Sequence, residues 1–267
     1  FLAGWVGRNQ FRKQNYKLWE LTHYMVYGDY IECSDCNRIT LKEWDHAARC
    51  TRTIDELTLY DRGYDYSHCW HCKSSNITDG TPNPKFYMWL HMPQADVAYV
   101  PAMHERIWNV KSNIISTSGI HGTAGIPKTE VAKMMGLWDC MFYPSGGEGF
   151  GNPPFECMAA GVPIVFSDYS SHAEFCRFGG LPVRVANYTP EMQLGIQRSA
   201  IDTNHAIEQM LKLVRSKELR KSLGSRGRQH AAQFAIPHLT PVWDNIFSEM
   251  MTKPLPLAGD KIYGAVL

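Results

Sequence analysis

The residues best suited to binding or catalysis lie in one glycine-rich segment, Pro144-Ser145-Gly146-Gly147-Glu148-Gly149-Phe150-Gly151-Asn152-Pro153-Pro154-Phe155-Glu156. The apolar residues 140–143 before it predict a buried strand, and residues 155–160 predict a short helix. A glycine-rich loop between a strand and a helix lets backbone N–H groups surround an anion, and the helix N-terminus adds partial positive charge. The segment therefore predicts an anion-binding site bracketed by two carboxylates, Glu148 and Glu156.

Two cations near the N-terminus are candidates for the other side of this site. Arg8 and Lys13 follow residues 1–6, an apolar run that predicts a strand. Ligands of open α/β sheets bind at the carboxyl ends of the strands, and a guanidinium together with an ammonium suits a diphosphate. The alternative is that both are solvated loop charges, which are common on protein surfaces.

A second set of chemically capable residues consists of two C-x2-C pairs, Cys33, Cys36, Cys69 and Cys72. Each pair can place two thiolates on one tetrahedral metal, so the spacing predicts a structural zinc site of the zinc-ribbon type. Disulfides are the competing interpretation, which fits poorly because the other cysteines stand singly in predicted helices and strands. Four residues nearby could replace a ligand: Cys50, His46, His68 and His71.

The elements that must position these residues alternate between strands and helices. Apolar runs predict strands over residues 1–6, 85–91, 113–117, 140–143, 162–166 and 181–185. Helices are predicted over 16–25, 129–135 with Thr129 as the N-cap, 155–160, after 167–174, and over 205–216, 218–234 and 239–251. This alternation predicts an α/β fold with a Rossmann-like, doubly wound parallel sheet and C-terminal helices.

The alternation is interrupted once. Residues 28–84 replace the apolar runs with Cys, His, Asp and Trp, so they are predicted to form a small cysteine-rich insertion that binds zinc. Residues 1–27 and 85–251 are predicted to form the Rossmann-like domain, and residues 252–267 a C-terminal tail.

Composition limits the classes of partner. The 267 residues are 44% hydrophobic and 20% charged, with a formal net charge of +1. Nucleic-acid binders usually carry a basic excess, so nucleic acid is not expected as a partner. No stretch approaches the roughly 18 apolar residues of a membrane span, so no transmembrane segment is expected. A cytoplasmic location, or a peripheral one at a membrane surface, is the expectation.

Several motifs occur along the chain in one order: Gly7-Arg8 with Lys13, Pro144-Ser145-x-x-Glu148-Gly149-Phe150-Gly151, the E-x7-E pair Glu148 and Glu156, and Ala159-Ala160-Gly161-Val162-Pro163 with Asp168 and Glu174. As a set they resemble glycosyltransferase family 4, whose members are retaining enzymes of the GT-B fold. The resemblance covers residues 1–27 and 85–251, the C-terminal, nucleotide-sugar-binding half of such an enzyme. The cysteine-rich insertion is not part of the family's common core.

The resemblance implies roles for the charged residues. Arg8 and Lys13 would contact the donor diphosphate, Glu148 the donor sugar and Glu156 the ribose. Fixed cations aimed at a leaving diphosphate stabilise the charge that accumulates as the sugar–phosphate bond breaks. The sequence has no Asp-x-Asp pair to hold a divalent ion, so we expect donor binding without a catalytic metal and zinc in a structural role only.

The resemblance also implies roles for uncharged residues. Backbone N–H groups of Gly149, Phe150 and Gly151 would contact sugar hydroxyls and phosphate, although Phe150 could equally pack in the core. Thr117 and the loop after it would lie where family members contact the base, and UDP-, GDP- and ADP-sugars remain open. His172 is interpreted as a surface or supporting group rather than a general base.

The expected function is therefore the donor-binding part of a retaining glycosyltransferase that acts on an unknown glycan, lipid or protein acceptor. We expect the facing N-terminal GT-B domain, which carries most of the acceptor site in the family, to lie outside this chain, which leaves both activity and inactivity of the isolated chain open. The alternative is a non-catalytic nucleotide-sugar-binding module whose zinc insertion binds a protein or, less favoured, a nucleic acid.

Overall fold

The computed structural model describes residues 1–6, 13–42, 67–92, 100–117, 126–191 and 195–252. Its strands are β1 (Leu2–Val6), β2 (Tyr30–Cys33), β3 (Ile39–Leu41), β4 (Ile77–Asp79), β5 (Tyr87–His91), β6 (Ile114–Ser116), β7 (Cys140–Tyr143), β8 (Ile164–Ser167), β9 (Gly180–Val183), β10 (Val185–Glu191) and β11 (Ile196–Ile201). Its helices are α1 (Tyr16–Tyr27), α2 (Pro101–Ile107), α3 (Lys128–Met135), α4 (Asn152–Ala159), α5 (Ser170–Cys176), α6 (Thr203–Arg215), α7 (Lys217–Ala232) and α8 (Ile236–Thr252).

Six of the strands form the central sheet, in the order β6-β5-β1-β7-β8-β9. Every neighbouring pair in it is parallel. If these six strands are renumbered 1 to 6 in chain order, their order across the sheet is 3-2-1-4-5-6, which is the doubly wound order. The predicted α/β fold with a Rossmann-like parallel sheet is confirmed.

Both faces of the sheet are covered by helices. All four residues of β7 and all four of β8 are buried, as expected for a parallel sheet between two helical layers. Among the helices, α1 contacts α2 and α6, α4 contacts α3, α5 and α7, and α6 also contacts α7. The core between the layers is rich in large side chains, among them Trp5, Trp19, Phe142 and Phe166, which are fully buried.

The predicted insertion contains a separate antiparallel sheet, in the order β3-β2-β4. Two contacts fasten it to α6. Both terminal nitrogens of Arg215 donate to the Glu32 carboxylate, at 2.7 and 2.8 Å, and the Ile39 N–H donates to Glu208 at 3.0 Å. The cysteine-rich sheet is thus held against a helix of the parallel domain, although the predicted domain boundaries themselves stay a prediction.

The prediction fails at two helix starts. The expected cap at Thr129 is wrong, because α3 begins at Lys128 after Pro127 and no side chain caps it. Helix α4 begins at Asn152 rather than at Phe155. Two successive prolines follow Asn152, and proline is compatible with a first helical turn, where the missing N–H has no partner to lose.

The stretch after β9 is also different from the prediction, which placed only helices there. Strands β10 and β11 pair as an antiparallel hairpin before α6 begins. Most residues of β10 are exposed, so the hairpin lacks the alternation of apolar and polar residues that identifies a strand in a sequence. Helix α2 was not predicted either, and it contains no buried residue.

Helix α8 ends the described part of the chain, and none of its residues is buried. Among the described helices, none combines the length and the apolar character that crossing a membrane requires.

Candidate active site

The glycine-rich loop lies at the carboxyl end of β7, beside the carboxyl end of β1. Between β1 and β7 the strand order reverses from 3-2-1 to 4-5-6. In doubly wound sheets this reversal opens a crevice outside the strand ends, and ligands bind there. The segment that leaves β1 re-enters the described residues at Lys13, directly before α1, whereas Arg8 lies outside them.

Lys13 and Glu148 meet in this crevice. The Lys13 ammonium donates to one carboxylate oxygen of Glu148 and, at 2.8 Å, to the Tyr143 hydroxyl. The same Glu148 oxygen accepts from Tyr143 at 2.9 Å and from the Ser145 hydroxyl at 2.6 Å. Both charged side chains are only 7% exposed. The carboxylate is therefore fixed by three donors on one oxygen.

The backbone on either side of Glu148 is held by the start of α5. The Glu148 N–H donates to the Ser170 hydroxyl at 2.9 Å, and the Ser171 hydroxyl donates to the carbonyls of Glu148 at 2.8 Å and Phe150 at 3.2 Å. Gly151, at the end of the loop, has a φ of +98°, and a Cβ there would lie 3.1 Å from that of His172. Glycine at this position lets the loop close against α5.

His172 is fully buried behind the loop, so of the two positions expected for it the structure has the supporting one and not the surface one. Its Nε2 lies 2.9 Å from the Ser167 hydroxyl and its Nδ1 lies 3.3 Å from the Ser170 hydroxyl. Since Ser167 donates its proton to the Ser145 carbonyl, Nε2 carries the ring proton and Nδ1 accepts from Ser170. Burial lowers the pKa of His172 to about 4. A neutral imidazole thus supports the serine that binds the Glu148 backbone.

Gln14 connects the site to the hairpin that the sequence did not predict. Its backbone has a φ of +51°, its side chain amide donates to the Ser199 carbonyl at 2.8 Å, and its side chain oxygen accepts from the Ile201 N–H at 3.2 Å. The Ser199 N–H donates to the Gly146 carbonyl at 3.1 Å. Strand β11 therefore holds both the segment that carries Lys13 and the loop that carries Glu148. No pattern in the sequence indicated this role.

The remaining predicted residues of the loop and α4 are at the surface. Gly149 is exposed, and a Cβ there would meet nothing within 4 Å. Phe150 is 44% exposed and stacks on Phe175 with ring centroids 4.9 Å apart, so it does not pack in the core. Glu156 is exposed on α4, and within the described ranges no hydrogen bond or ion pair of its carboxylate is found.

Thr117 follows the end of β6, two strands away from β1. At the usual strand spacing this places it about 10 Å along the sheet edge from the Lys13 side of the crevice. Its hydroxyl accepts from the Trp89 indole at 3.3 Å and lies 2.8 Å from Nδ1 of His91. The structure thus brings Lys13 and Glu148 together and leaves Thr117 and Glu156 at separate points of the same edge.

The four cysteines of the insertion converge. Their sulfur atoms all lie within 4.8 Å of one another, with Cys33 to Cys72 and Cys36 to Cys69 at 3.6 Å. These distances are too long for a disulfide, whose sulfur atoms are about 2.05 Å apart. Four thiolates bound to zinc at about 2.3 Å in a tetrahedron would be about 3.8 Å apart. The cluster is compatible with a structural metal site.

The two C-x2-C turns also have the same backbone hydrogen bonds. In each, the N–H of the first cysteine donates to a carbonyl beyond the second cysteine, and the residue just after the second cysteine donates back to the first cysteine's carbonyl. Those following residues, Asn37 and Lys73, both have positive φ, at 54° and 63°. Two independent turns thus present their sulfur atoms to one point in the same way.

Comparison with known proteins finds relatives for part of the chain. Residues 118–230 match the family model described as Glycosyl transferases group 1. Residues 118–230 are therefore similar to a group 1 glycosyl transferase domain. The D-inositol 3-phosphate glycosyltransferase of Corynebacterium aurimucosum is 29% identical to this domain over 130 residues, or 49% of this chain and 28% of the relative. An uncharacterized glycosyltransferase of Methanocaldococcus jannaschii is 30% identical over 107 residues, or 40% of this chain and 26% of the relative.

Solved glycosyltransferases share the fold of this domain. Anabaena Alr3699/HepE in complex with UDP matches with a TM-score of 0.56 at 14% identity, over 93% of this chain and 49% of that one. WaaG, a glycosyltransferase involved in lipopolysaccharide biosynthesis, matches with a TM-score of 0.51 at 14% identity, over 95% of this chain and 47% of that one. The chain therefore corresponds to about half of each solved structure and to about a quarter of the curated relatives.

Proposed function

We propose that this glycosyl transferase domain is the donor-binding half of a retaining glycosyltransferase, which transfers a sugar from a nucleotide-diphospho-sugar to an acceptor without a catalytic metal. The observation that carries the proposal is the meeting of Lys13 and Glu148 under a glycine-rich loop, at the point where the strand order of the sheet reverses. A cation, a carboxylate and the backbone N–H groups of a glycine-rich loop in one crevice suit a ligand that has both phosphate and hydroxyl groups.

The proposed division of roles follows the charges. Lys13, with Arg8 from the segment outside the described residues, would neutralise the diphosphate as it leaves. Glu148 would accept hydrogen bonds from donor-sugar hydroxyls, since a carboxylate offers two acceptor oxygens with several lone-pair sites.

Uncharged groups and the outer carboxylate complete the proposed donor site. The N–H groups of Gly149, Phe150 and Gly151 would face the sugar and phosphate, and the open space around Gly149 supports a close approach. Glu156 on α4 would bind the ribose, and Thr117 would lie near the base. The exposure of Glu156 supports its availability to a ligand.

The side chains at the crevice are the reason for proposing that the donor binds without a catalytic metal. Among the described residues, the group that could hold a metal is formed by the four cysteines of the insertion, not by carboxylates at the donor site. We propose that these cysteines hold one structural zinc ion. Four thiolates would fill its tetrahedral coordination, which leaves no position for a reacting water.

Uridine nucleotides are the first donors to test, because structural neighbours of this fold are complexes with UDP and with UDP-glucose. Calorimetric titration of the chain with UDP-, GDP- and ADP-sugars, with and without EDTA, tests the proposal. We expect one of the three nucleotide classes to bind, with unchanged affinity in EDTA. Binding to none of them would refute the donor site, and a donor affinity lost in EDTA while zinc stays bound would refute metal independence.

A second candidate is a non-catalytic nucleotide-sugar-binding module that uses the cysteine-rich insertion to bind a protein. It is favoured by the Lys13–Glu148 ion pair, in which each candidate group already neutralises the other. Slow hydrolysis of a bound donor sugar, abolished in Glu148→Gln, would support the enzyme, whereas tight binding with no hydrolysis would support the module. The acceptor, the facing N-terminal domain and the cytoplasmic location stay predictions.

A further inference from the structure

A cleft of about 340 Å³ opens between the start of α1 and the hairpin β10–β11. Its polar lining comes from Gln14, Tyr16, Thr189, Glu191, Arg198 and Ser199. Sites for small molecules in proteins measure roughly 300–1,000 Å³, so the cleft has room for a ligand of about one sugar unit. None of these residues has a role in the proposed donor site.

The cleft shares its walls with the proposed donor site. Gln14 directly follows Lys13 in the chain. A Cβ on Gly147, the residue before Glu148, would lie 2.9 Å from a terminal nitrogen of Arg198. A ligand in the cleft would therefore lie beside the groups assigned to the donor diphosphate and the donor sugar.

The charges in the cleft favour a neutral ligand. Arg198 donates through its Nε to the Glu191 carboxylate, and the two side chains are 21% and 36% exposed. Because the carboxylate cancels the guanidinium charge, the pair is a poor site for an anion. It still offers several N–H donors next to carboxylate acceptors, and this combination suits neighbouring hydroxyl groups.

Two further residues support a hydroxyl-rich ligand with an apolar face. Tyr16 contributes an aromatic ring to the lining. Ser199 is 3% exposed, and within the described chain its hydroxyl has no hydrogen-bond partner. Buried hydroxyls are normally paired, so this group is expected to find its partner in a bound molecule or a water.

We propose that this cleft is an acceptor subsite, which binds one neutral sugar unit through Arg198 and Glu191 next to the donor sugar. The inference rests on the proposed function, since only a donor bound at Lys13 and Glu148 makes the neighbouring cleft an acceptor position. It assigns a purpose to the hairpin, which holds both Gln14 and the glycine-rich loop in place and forms the far wall of the cleft.

The test is a nuclear magnetic resonance titration of the ¹⁵N-labelled 267-residue chain with the methyl glycosides of glucose, mannose and galactose, each with and without UDP. We expect at least one glycoside to shift the amide resonances of Thr189 and Ser199. Arg198→Ala and Glu191→Gln should each weaken that glycoside at least about tenfold, the loss of a hydrogen bond to a charged group. Arg184→Ala is the matched control, because Arg184 also pairs with a carboxylate, Asp202, but does not line the cleft.

Three results would overturn the subsite: no glycoside shifts cleft resonances, Arg198→Ala and Glu191→Gln bind it as tightly as the native chain, or inorganic phosphate shifts the same resonances more strongly than any glycoside. UDP in the same samples separates this failure from that of the proposed function. If UDP binds while no glycoside shifts the amide resonances of the cleft residues, only the subsite is wrong. If UDP, GDP and ADP all fail to bind the chain, the donor site is wrong. Native UDP affinity in Arg198→Ala also shows that the variant is folded.

Discussion

Lys13 donates a hydrogen bond to the Glu148 carboxylate, although 135 positions separate the two residues in the chain. The contact joins the segment after β1 to the loop after β7, which lie on the two sides of the point where the strand order reverses. Since the proposed function assigns the cation to the diphosphate and the carboxylate to the sugar, a bound donor would lie between or beside them. The pair therefore brings opposite charges together at the crevice that the donor would enter.

The energetics of this ion pair can be measured directly. Lys13→Met should destabilise the chain by about 3–5 kcal/mol, because it removes the buried cation that pairs with the Glu148 carboxylate. The double variant Lys13→Met/Glu148→Gln should recover much of that loss. Urea unfolding of both single variants and the double variant gives the coupling energy. Lys133→Met, which breaks the exposed pair with Glu130, is the control and should cost less than about 1 kcal/mol. Equal losses in the single and double variants would contradict the pairing.

The two candidate carboxylates should separate by what they bind. Glu148→Gln keeps the shape of the side chain and its contact with Tyr143, so we expect nucleotide affinity to stay within about threefold while transfer or donor hydrolysis is lost. Glu156→Ala should weaken the nucleotide itself roughly tenfold or more, as expected for a charge-assisted hydrogen bond to ribose. Calorimetry with UDP and UDP-sugar measures both. Native nucleotide affinity in Glu156→Ala would remove the ribose assignment.

Zinc should be measurable as one ion per chain by atomic emission. Cys36→Ser should lose it and should lower the unfolding temperature, because the β3-β2-β4 sheet would lose the ion that links its two cysteine turns. Cys176→Ser is the control, since Cys176 is buried in the parallel domain away from the cluster, and it should retain the zinc. A native chain that purifies without metal and does not bind added zinc would rule out the site.

Acidification should destabilise the chain through His172. Its pKa is lowered from 6.5 to about 4, so the folded state takes up the proton later than the unfolded state as the pH falls. The stabilisation is complete above pH 6.5 and is lost between there and pH 4, with a loss of about 2 kcal/mol between pH 7 and pH 5. His172→Gln should remove that part of the pH dependence in urea unfolding. An unchanged slope in the variant would show that other groups cause it.

Local sequence signals predicted the fold well where burial on both sides of the sheet requires continuous apolar runs. The strand over residues 140–143 is an example, because every residue in it is buried. The doubly wound order and the position of the glycine-rich loop followed from that alternation. The cysteine spacing likewise predicted the cluster, since two short turns fix four sulfur atoms locally.

The rest depended on contacts that a linear pattern does not contain. The β10–β11 hairpin is stabilised by pairing with itself and by Gln14, a residue nearly 190 positions away from its partner Ile201, so no periodicity indicated it. For His172 the sequence left a surface position and a supporting one open, because a single His in a loop fits either. The serines beside it instead turn inward to bind the Glu148 loop, which buries the imidazole behind them.

Two glycines of the loop should respond to alanine in opposite ways. Gly151→Ala should destabilise the chain by about 1–3 kcal/mol, because alanine would adopt a φ of +98° and place its Cβ 3.1 Å from that of His172. Gly149→Ala should leave stability within about 0.5 kcal/mol, because a Cβ there meets nothing within 4 Å. It should nevertheless lower donor affinity if the sugar approaches that backbone closely. Urea unfolding and donor calorimetry on the same two variants separate packing from binding, and native donor affinity in Gly149→Ala would show that the sugar does not contact Gly149.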